Sequence, residues 1–564
     1  MLKNFIANIS VRLIILVLFA LSISSGCVNR KKNDLIKVLI LSGKNNHEWK
    51  KTTPVLVRMY KKSGLFAVKV SEKPDTLTYN KLKKFDVVVS NWNEWPDTNI
   101  RMTKSWETDF LRYVKKGGGA VFIHAGASSF YSWKEYHQMG IGRWGKETRH
   151  GKLTKAKIYG FDTTHPITQG LRDFYTFDEI WEKTDIYPGV TALASVSVTN
   201  EKDSVVINEP AMFVNHTGNG LSFYTILGHD ERAFINSGLQ TILLRATQWV
   251  SHHEVTIKTP LDLKETSTSK SNNFSWEQSD TSLCLTADSE KIWQFNFNNR
   301  LGKPYFHPVA INNSTLTCVS PADHPWHLGL WFSWKFINGV NYWEYLNDFK
   351  SDETGYKSAG ITKIQNINIT KNSDYSADIR MDLQYHPEGG DAVMAEKRNI
   401  HVSPPGSDGS YFIDHDNSFS PLIDEVILDR TPVEGEPGGQ SWGGYAGLSV
   451  RFNQDYMSPA VIAPSENNNY KKDKWLYMGF NTLTGDSAGI CIIQNTKYTT
   501  SSTSWYVISQ PEIPFFYFSP AVLFDGKIVL KKGENLQLKY RVWILPGKTG
   551  RDELQSKYDE YMNN

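Results

Sequence analysis

Between residues 264 and 275 the chain reads "KETSTSKSNNFS", and the hydrophobic period differs on its two sides. Before it, short apolar runs ending near Gly ("IKVLILSG", "FDVVVSNW", "GGAVFIHAG") alternate with stretches of helical period. One of these is "TKSWETDFLRYVKKGGG", where Thr103 is a candidate cap and glycines close the helix. Short apolar runs separated by helices are the pattern of a parallel sheet in a doubly wound α/β domain. After the break, "ITKIQNINIT", "SADIRMDLQYH" and "KIVLKKGENLQLKYRVWIL" alternate at period two between Gly, Pro and Asn turns. That pattern predicts an all-β antiparallel sandwich, closed by a short helix at "RDELQSKYDEYM". A chain of 564 residues exceeds what one core supports, so roughly three or four units, or two large ones, are expected. We divide it into an α/β domain at 36–252, a linker at 253–275 and a β domain at 276–564.

The first 26 residues carry Lys3 and Arg12, then an apolar run from Leu13 to Leu21, then small residues up to Cys27. The run is shorter than the ~20 apolar residues a stable membrane span needs, and it reads as a secretory signal peptide. Ser24, Ser25 and Gly26 before Cys27 resemble a bacterial lipoprotein box, although Ser24 stands where that pattern prefers Leu. Residues 27–35 would then tether a lipidated Cys27 to the envelope, facing the periplasm. Loss of Lys3 and Arg12 lowers the net charge from +3 to +1, which is no profile for binding nucleic acid. The remaining cysteines, Cys284, Cys318 and Cys491, give neither a disulfide framework nor zinc spacing.

Histidines recur where strands of the α/β domain should end. His47 follows the first strand in "LILSGKNNHEW", and His124 ends another in "AVFIHAGASSF". "GRWGKETRHG" supplies His150, "DEIWE" supplies Asp178 and Glu179, and "YTILGHDERAF" supplies His229 and Asp230. Loops at the carboxyl ends of such strands converge, so these groups are candidates for one cleft. Histidine suits proton transfer because it titrates near neutrality. The motifs "GKNNHEW", "FIHAG", "MGIGRWGKETRHG", "THPITQGL", "DEIW" and "HTGNGLSFYTILGHD" resemble the trehalose-utilisation, ThuA-like family over about residues 36–250. The resemblance implies a flavodoxin-like fold related to class I glutamine amidotransferases, and a role in the catabolism of sugars, often oxidised ones. It also implies that His124 stands where the amidotransferase relatives carry a nucleophilic cysteine. No cysteine lies between 28 and 283, so cysteine-dependent amide hydrolysis is excluded for this domain. Ser128 and Ser129 lie nearby without a G-x-S-x-G context.

In the β domain, "DHPWHLGLWFSW" (323–334) packs two histidines, an aspartate and three tryptophans into twelve positions. Strand parity puts Leu328, Leu330, Phe332, Trp334 and Phe336 on one face, expected to be core. His327, Gly329, Trp331, Ser333 and Lys335 fall on the other, expected to face a ligand. On that reading His324 and His327 are acid/base candidates, Trp331 is a stacking platform for a sugar ring and Arg451 is a partner for a carboxylate. Glu344 and His415 join them as substrate-binding candidates among polar groups in turns and at strand ends. A metal held by Asp323, His324 and His327 is disfavoured, because Pro325 breaks the helical turn that would align the two histidines. No cofactor is expected; a divalent metal stays open without being favoured. "DHPWHLGLWF", "NGVNYWEYL", "YFIDHDNSF" and "GGYAGLSVRF" resemble the PmoA-like family over about residues 290–546. That family usually has a second histidine where this chain has Trp326, and no membrane span or copper pattern accompanies its methane-oxygenase name here.

An exported chain of this kind, with 13% aromatic residues, points to oligosaccharides as partners and to other polysaccharide-degrading enzymes as pathway neighbours. His-rich candidate sites suit proton abstraction beside a carbonyl or carboxylate. The expected activity is a dehydratase or lyase acting on uronic-acid-containing oligosaccharides by β-elimination. The alternatives are a hydrolase or isomerase of 3-keto-glycosides, or a sugar-binding lipoprotein without catalysis. Hydrolysis needs two carboxylates ~5 or ~6.5–9.5 Å apart, for which Asp178, Glu179 and Asp230 are the candidates. If Cys27 is the lipid anchor, Cys27→Ser moves the protein from the membrane to the soluble fraction and abolishes labelling by palmitate, read by fractionation and autoradiography.

Overall fold

The computed structural model describes residues 35–563, apart from 98, 100, 200–205, 261–262, 264–272, 300–301, 322, 345–358, 466–469, 471, 498–503 and 511–512. The leader at 1–26, Cys27 and most of the polar break at 264–275 lie outside the described residues.

The first unit is built on β1 (Ile36–Leu41), α1 (Trp49–Lys62), β2 (Phe66–Ser71), β3 (Val87–Ser90), α2 (Lys104–Lys115) and β4 (Gly119–Ile123). It continues through β5 (Thr154–Tyr159), β6 (Phe174–Asp178), β7 (Thr191–Thr199), β8 (Val206–Thr217), β9 (Gly220–Thr225) and α3 (Ser237–Val250). Thr103 caps α2, its hydroxyl accepting from Trp106 N at 3.3 Å. One nine-stranded sheet holds the unit together in the order β2-β1-β3-β4-β9-β8-β7-β5-β6. The first five strands in that order are parallel, and the pairings from β9 through β6 are antiparallel. Every residue of β4 is buried, as a strand covered on both faces requires. Burying each large apolar side chain contributes on the order of 2 kcal/mol. The parallel half is the part that alternating strand and helix signals predict. The antiparallel half has no such signature, because its strands follow one another without intervening helices.

The second unit is antiparallel throughout. One sheet runs β10 (Phe274–Ser279), β11 (Ser282–Ala287), β12 (Glu290–Asn296), β13 (Tyr305–Ile311) and β14 (Leu330–Ser333). It ends on the strands Gly447–Arg451, Phe515–Pro520 and Trp505–Gln510. The other sheet runs Gly360–Lys371, Ala377–Pro387, Met394–Val402, Tyr411–Pro421, Leu536–Pro546, Ser487–Gln494, Trp475–Asn481 and Met457–Ile462. The two sheets face each other across an aromatic core in which Phe332 of β14 stacks on Phe419 at 5.3 Å. A helix over Arg551–Asn563 closes the chain. Among the described residues no helix is long and apolar enough to cross a membrane, and Cys284, Cys318 and Cys491 are free thiols.

The expected parity of "HLGLWFSWKF" holds only from Leu330 to Trp334; the strand ends at Ser333, and beyond it Phe336 is half-buried while Ile337 is core. Leu330, Phe332 and Trp334 enter the core between the sheets. Leu328 instead joins Trp331, Trp343, Phe515 and Tyr517 in a second cluster on the other side of the sheet. Gly329 breaks the register: its φ is +78°, and a Cβ there would meet the Phe306 carbonyl at 2.5 Å. The face expected to be open is covered as well, so the strand is buried on both sides.

Part of the expected linker is not free either. Gln248 Oε1 accepts from Thr256 N and Ile257 N, and Arg245 donates to Ile257 O and Thr259 Oγ1, which straps this stretch onto α3. The two units are also in direct contact. Asp455 Oδ2, in the β domain, accepts from Ser237 N at the start of α3 at 2.9 Å, and Tyr175 N donates to Leu483 O. Burial raises the Asp455 carboxyl to about 6 against the opposing pull of Ser237. A carboxyl raised on folding contributes stability below its unfolded pKa that is lost as pH rises through the folded value. Asp455→Asn, which keeps an acceptor for Ser237 N, is therefore expected to gain stability relative to the parent between pH 4 and 7. The gain is on the order of 2 kcal/mol, measured by urea melts at each pH.

Candidate functional site

Four strands that point the same way deliver four side chains to one edge of the α/β sheet. His47 lies in the loop after β1, His124 directly follows β4, Glu179 directly follows β6 and His229 lies shortly after β9. Their imidazole nitrogens and carboxylate oxygen all fall within 4.8 Å of one another. His47 packs edge-on against His124 and His229, with ring centroids 4.8 and 4.5 Å apart. Glu179 Oε1 is 3.6 Å from His124 Nε2 and 3.4 Å from His229 Nδ1, and Glu179 Oε2 is 3.0 Å from His150 Nδ1. His124 and Glu179 are buried, His47 and His229 are half-buried, and His150 is exposed at the rim. All five histidine and glutamate candidates of this domain thus meet in one place.

Neighbouring groups fix the orientation of each side chain. His47 Nδ1 donates to Asn45 Oδ1 at 3.1 Å, and His124 Nδ1 donates to the Ile226 carbonyl at 2.5 Å. Both rings therefore carry their lone pair on Nε2 when neutral. His124 adopts φ +47°, a left-handed conformation uncommon for a residue with a side chain, at the tight turn after β4. Trp181 Nε1 donates to Glu179 Oε1 at 3.1 Å, and the Trp181 ring packs on His124 at 4.5 Å. Burial opposes ionisation of Glu179, but contacts with His124 and His229 outweigh it and hold the carboxyl well below its usual range. Burial, reinforced by His124 and His229, pushes His47 down to about 3. For His229 the order reverses: burial lowers it, and the pull of Glu179 raises it overall.

Asp178 and Asp230 were the other acids expected here, and neither is available. Asp178 is fully buried and accepts from three backbone N–H groups: Gly228 at 2.7 Å, His229 at 3.1 Å and Glu179 at 2.8 Å. Asp230 caps the short helix Glu231–Ile235 and pairs with Arg232. Glu179 is the one carboxylate that reaches the histidines. Ser128 and Ser129 are structural too, their hydroxyls accepting from Trp144 N and Glu94 N. The roles of Asp178, Asn45 and Trp181 were missed in the sequence. The short spacings in "NNH" and "DEIW" were the available signal, since a polar residue two positions away can turn back onto a ring or carboxylate.

The candidates of the β domain divide. Asp323, His324, His327, Trp331 and Arg451 do come together: His327, Trp331 and Arg451 are buried, His324 is half-buried and Asp323 is exposed. Trp331 is 1% exposed and packs against His327, Trp343 and Tyr517, so it has no open face on which a sugar ring could stack. Arg451 is fully buried over Phe515 and donates to Asp323 Oδ2 at 2.7 Å, so its carboxylate partner is the protein's own. His324 Nδ1 pairs with the same Asp323 at 3.0 Å, and its ring stacks on His327 at 4.7 Å. Glu344 is held by Lys335, Asn341 and Tyr445. His415 points into the core between the sheets beside Phe306, apart from the others. A groove of 670 Å³ crosses the outer face of the second sheet, lined by Asp378, His401, Asp414, Asp416, Lys539 and Arg541. Six of the lining side chains already pair with one another as His401–Asp378, Arg541–Asp414 and Lys539–Asp416. That arrangement is the ordinary chemistry of a solvated sheet face. The histidine centre, where Glu179 and three imidazoles meet within 4.8 Å, is the stronger site.

Asp178 positions this centre by clamping the backbone that carries His229 to the strand that carries Glu179. Asp178→Ala leaves three buried N–H groups without an acceptor, each costing roughly 1–3 kcal/mol. It is expected to lower stability by on the order of 3 kcal/mol in chemical denaturation, with Asp178→Asn recovering part of the loss.

Residues 37–250 match the family model described as trehalose utilisation (ThuA), and residues 282–559 match a family of unknown function, DUF6807. No curated protein matches the chain. Similar solved structures include a protein from Parabacteroides merdae described as ThuA-like, 25% identical over 41% of this chain and 95% of that one, with a TM-score of 0.36. Another described as ThuA-like, from Bacteroides uniformis, is 22% identical over 40% and 94%, with a TM-score of 0.32. One described as an aldose 1-epimerase, from Klebsiella pneumoniae, is 8% identical over 50% and 83%, with a TM-score of 0.25. Residues 37–250 are similar to the ThuA family, and the antiparallel β domain that follows is similar to a family of unknown function.

Proposed function

We propose that this chain is an exported carbohydrate-active enzyme that abstracts a proton beside a sugar carbonyl or carboxylate and eliminates the β-substituent. The supporting observation is the meeting of one carboxylate, Glu179, with His124, His150 and His229 at the carboxyl ends of the sheet. In a uronic acid, a base removes H5 as a proton and the electron pair left behind forms the C4=C5 bond. The C4–O bond breaks, and its oxygen takes a proton to leave as water or as a glycosyl alcohol. His150 is the accessible member of the group and is assigned the proton transfer. A single carboxylate at the centre favours this chemistry over hydrolysis, which uses two. A sugar substrate is taken from the family description, trehalose utilisation, and uronic-acid-containing oligosaccharides are the substrates we assign from the proton-abstraction chemistry.

The same proposal takes the parallel half of the first sheet as flavodoxin-like and doubly wound, and the β domain as PmoA-like. Cys27 is taken as a lipid anchor that holds the protein at the periplasmic side of the envelope, beside other polysaccharide-degrading enzymes. Incubation with uronate-terminated oligosaccharides tests the chemistry. Elimination of water produces absorbance at about 235 nm and a mass loss of about 18 Da, and His150→Gln lowers kcat/KM by roughly 10²–10⁴-fold. A mass gain of one water would instead establish hydrolysis, and binding without turnover would establish a sugar-binding lipoprotein.

A further inference from the structure

We propose that His47, His124, His229 and Glu179 are the ligands of one first-row divalent transition-metal ion. The inference concerns the same centre as the chemistry above but does not depend on the substrate. Its basis is a mismatch between burial and hydrogen bonding. His124 Nε2 and His229 Nδ1 are buried and have no hydrogen-bond partner. The nearest acceptor, Glu179 Oε1, lies 3.6 and 3.4 Å from them, beyond ordinary hydrogen-bond length. A polar atom buried without a partner costs free energy, so two such atoms facing the same carboxylate need an explanation.

An ion supplies it. Ligand atoms held at ~2.0–2.2 Å from a shared tetrahedral ion stand roughly 3.3–3.6 Å from each other, which is the spacing Glu179 Oε1 keeps from both nitrogens. The outward sides of the ligands are built in the manner of a metal site. Asn45 accepts from His47 Nδ1, the Ile226 carbonyl accepts from His124 Nδ1, and Trp181 Nε1 donates to Glu179. Such partners fix the tautomer and aim the lone pair of the other nitrogen inward. The Nε2 lone pairs of His47 and His124 are thereby left to a shared ion, beside Glu179. The donor set, three imidazoles and one carboxylate, suits zinc, cobalt, manganese or iron. It does not suit magnesium or calcium, which take oxygen ligands. Among the described residues, this is the group of His, Cys, Asp and Glu side chains close enough to share an ion. His150, paired with the outer oxygen of Glu179 and exposed, stays outside the ligand set and free to meet a substrate.

The test uses the full mature protein, stripped by a chelator and dialysed, with ion binding read by calorimetry and metal content by mass spectrometry. About one Zn²⁺ or Co²⁺ per chain is expected, with a Co²⁺ ligand-field spectrum of low coordination number and no comparable binding of Mg²⁺ or Ca²⁺. His124→Ala and Glu179→Gln should weaken binding at least ~100-fold, and Asn45→Ala by ~10–100-fold with the fold intact. His150→Gln should leave the affinity within a few-fold. Substoichiometric binding, or parent-like affinity in His124→Ala, Glu179→Gln and Asn45→Ala, would overturn the ion site. Full turnover of uronates by a protein that binds no ion would overturn the ion site while sparing the elimination chemistry. One tightly held ion with no turnover on any uronate would sustain the ion site and discard the chemistry.

Discussion

A buried carboxylate that never touches a ligand organises the α/β domain. Asp178 stands at the end of the strand farthest from β2 in the nine-stranded order, four places from β9. Its two oxygens nevertheless accept from Gly228 N and His229 N just beyond β9. The antiparallel half of the sheet must therefore curl back on the parallel half. Gly228 permits the contact: its φ is +113°, and a Cβ there would meet Ile123 Cγ2 at 2.6 Å. Burial raises the Asp178 carboxyl to about 6, and the three backbone donors offset that cost. Because Glu179 is the next residue, the same clamp sets the distance between Glu179 and His229. The chemistry of the centre is thus a consequence of backbone packing at one aspartate.

The β domain solves a different problem. Its aromatic strand is covered on both faces, by the partner sheet on one side and by Trp343, Phe515 and Tyr517 on the other. Arg451 survives complete burial there because Asp323 supplies charge and Phe515 supplies a flat face at 3.7 Å. Aromatic richness in this region therefore contributes packing and not an exposed platform. The contact of Asp455 with the first turn of α3 then joins this domain to the other through a helix N-terminus.

Much of the centre was legible because it rests on a general property of such sheets: loops at the carboxyl ends of strands converge. His47, His124, Glu179 and His229 each follow an apolar run in the sequence, and each arrives at the same edge. The acids could not be sorted in the same way. Asp178 and Glu179 are adjacent in one motif, and alternation at the end of β6 turns one toward the backbone and the other toward the histidines. Local pattern does not reveal which is which. Leu328 was misplaced for a related reason. Parity arguments assume an unbroken strand, and the positive φ of Gly329 ends that assumption one residue before Leu330.

By itself the sequence determined the two classes of core, the strand-end positions of the histidines, the cap at Thr103 and the absence of a cysteine nucleophile in the first domain. These are local properties, set by period, turn chemistry and residue identity. Only the tertiary structure decided that three of those histidines and Glu179 share a space 4.8 Å across while Trp331 and Arg451 are sealed. Strand order, sheet curl and the covering of a face by distant residues depend on contacts between parts of the chain far apart in sequence, and no local pattern encodes them.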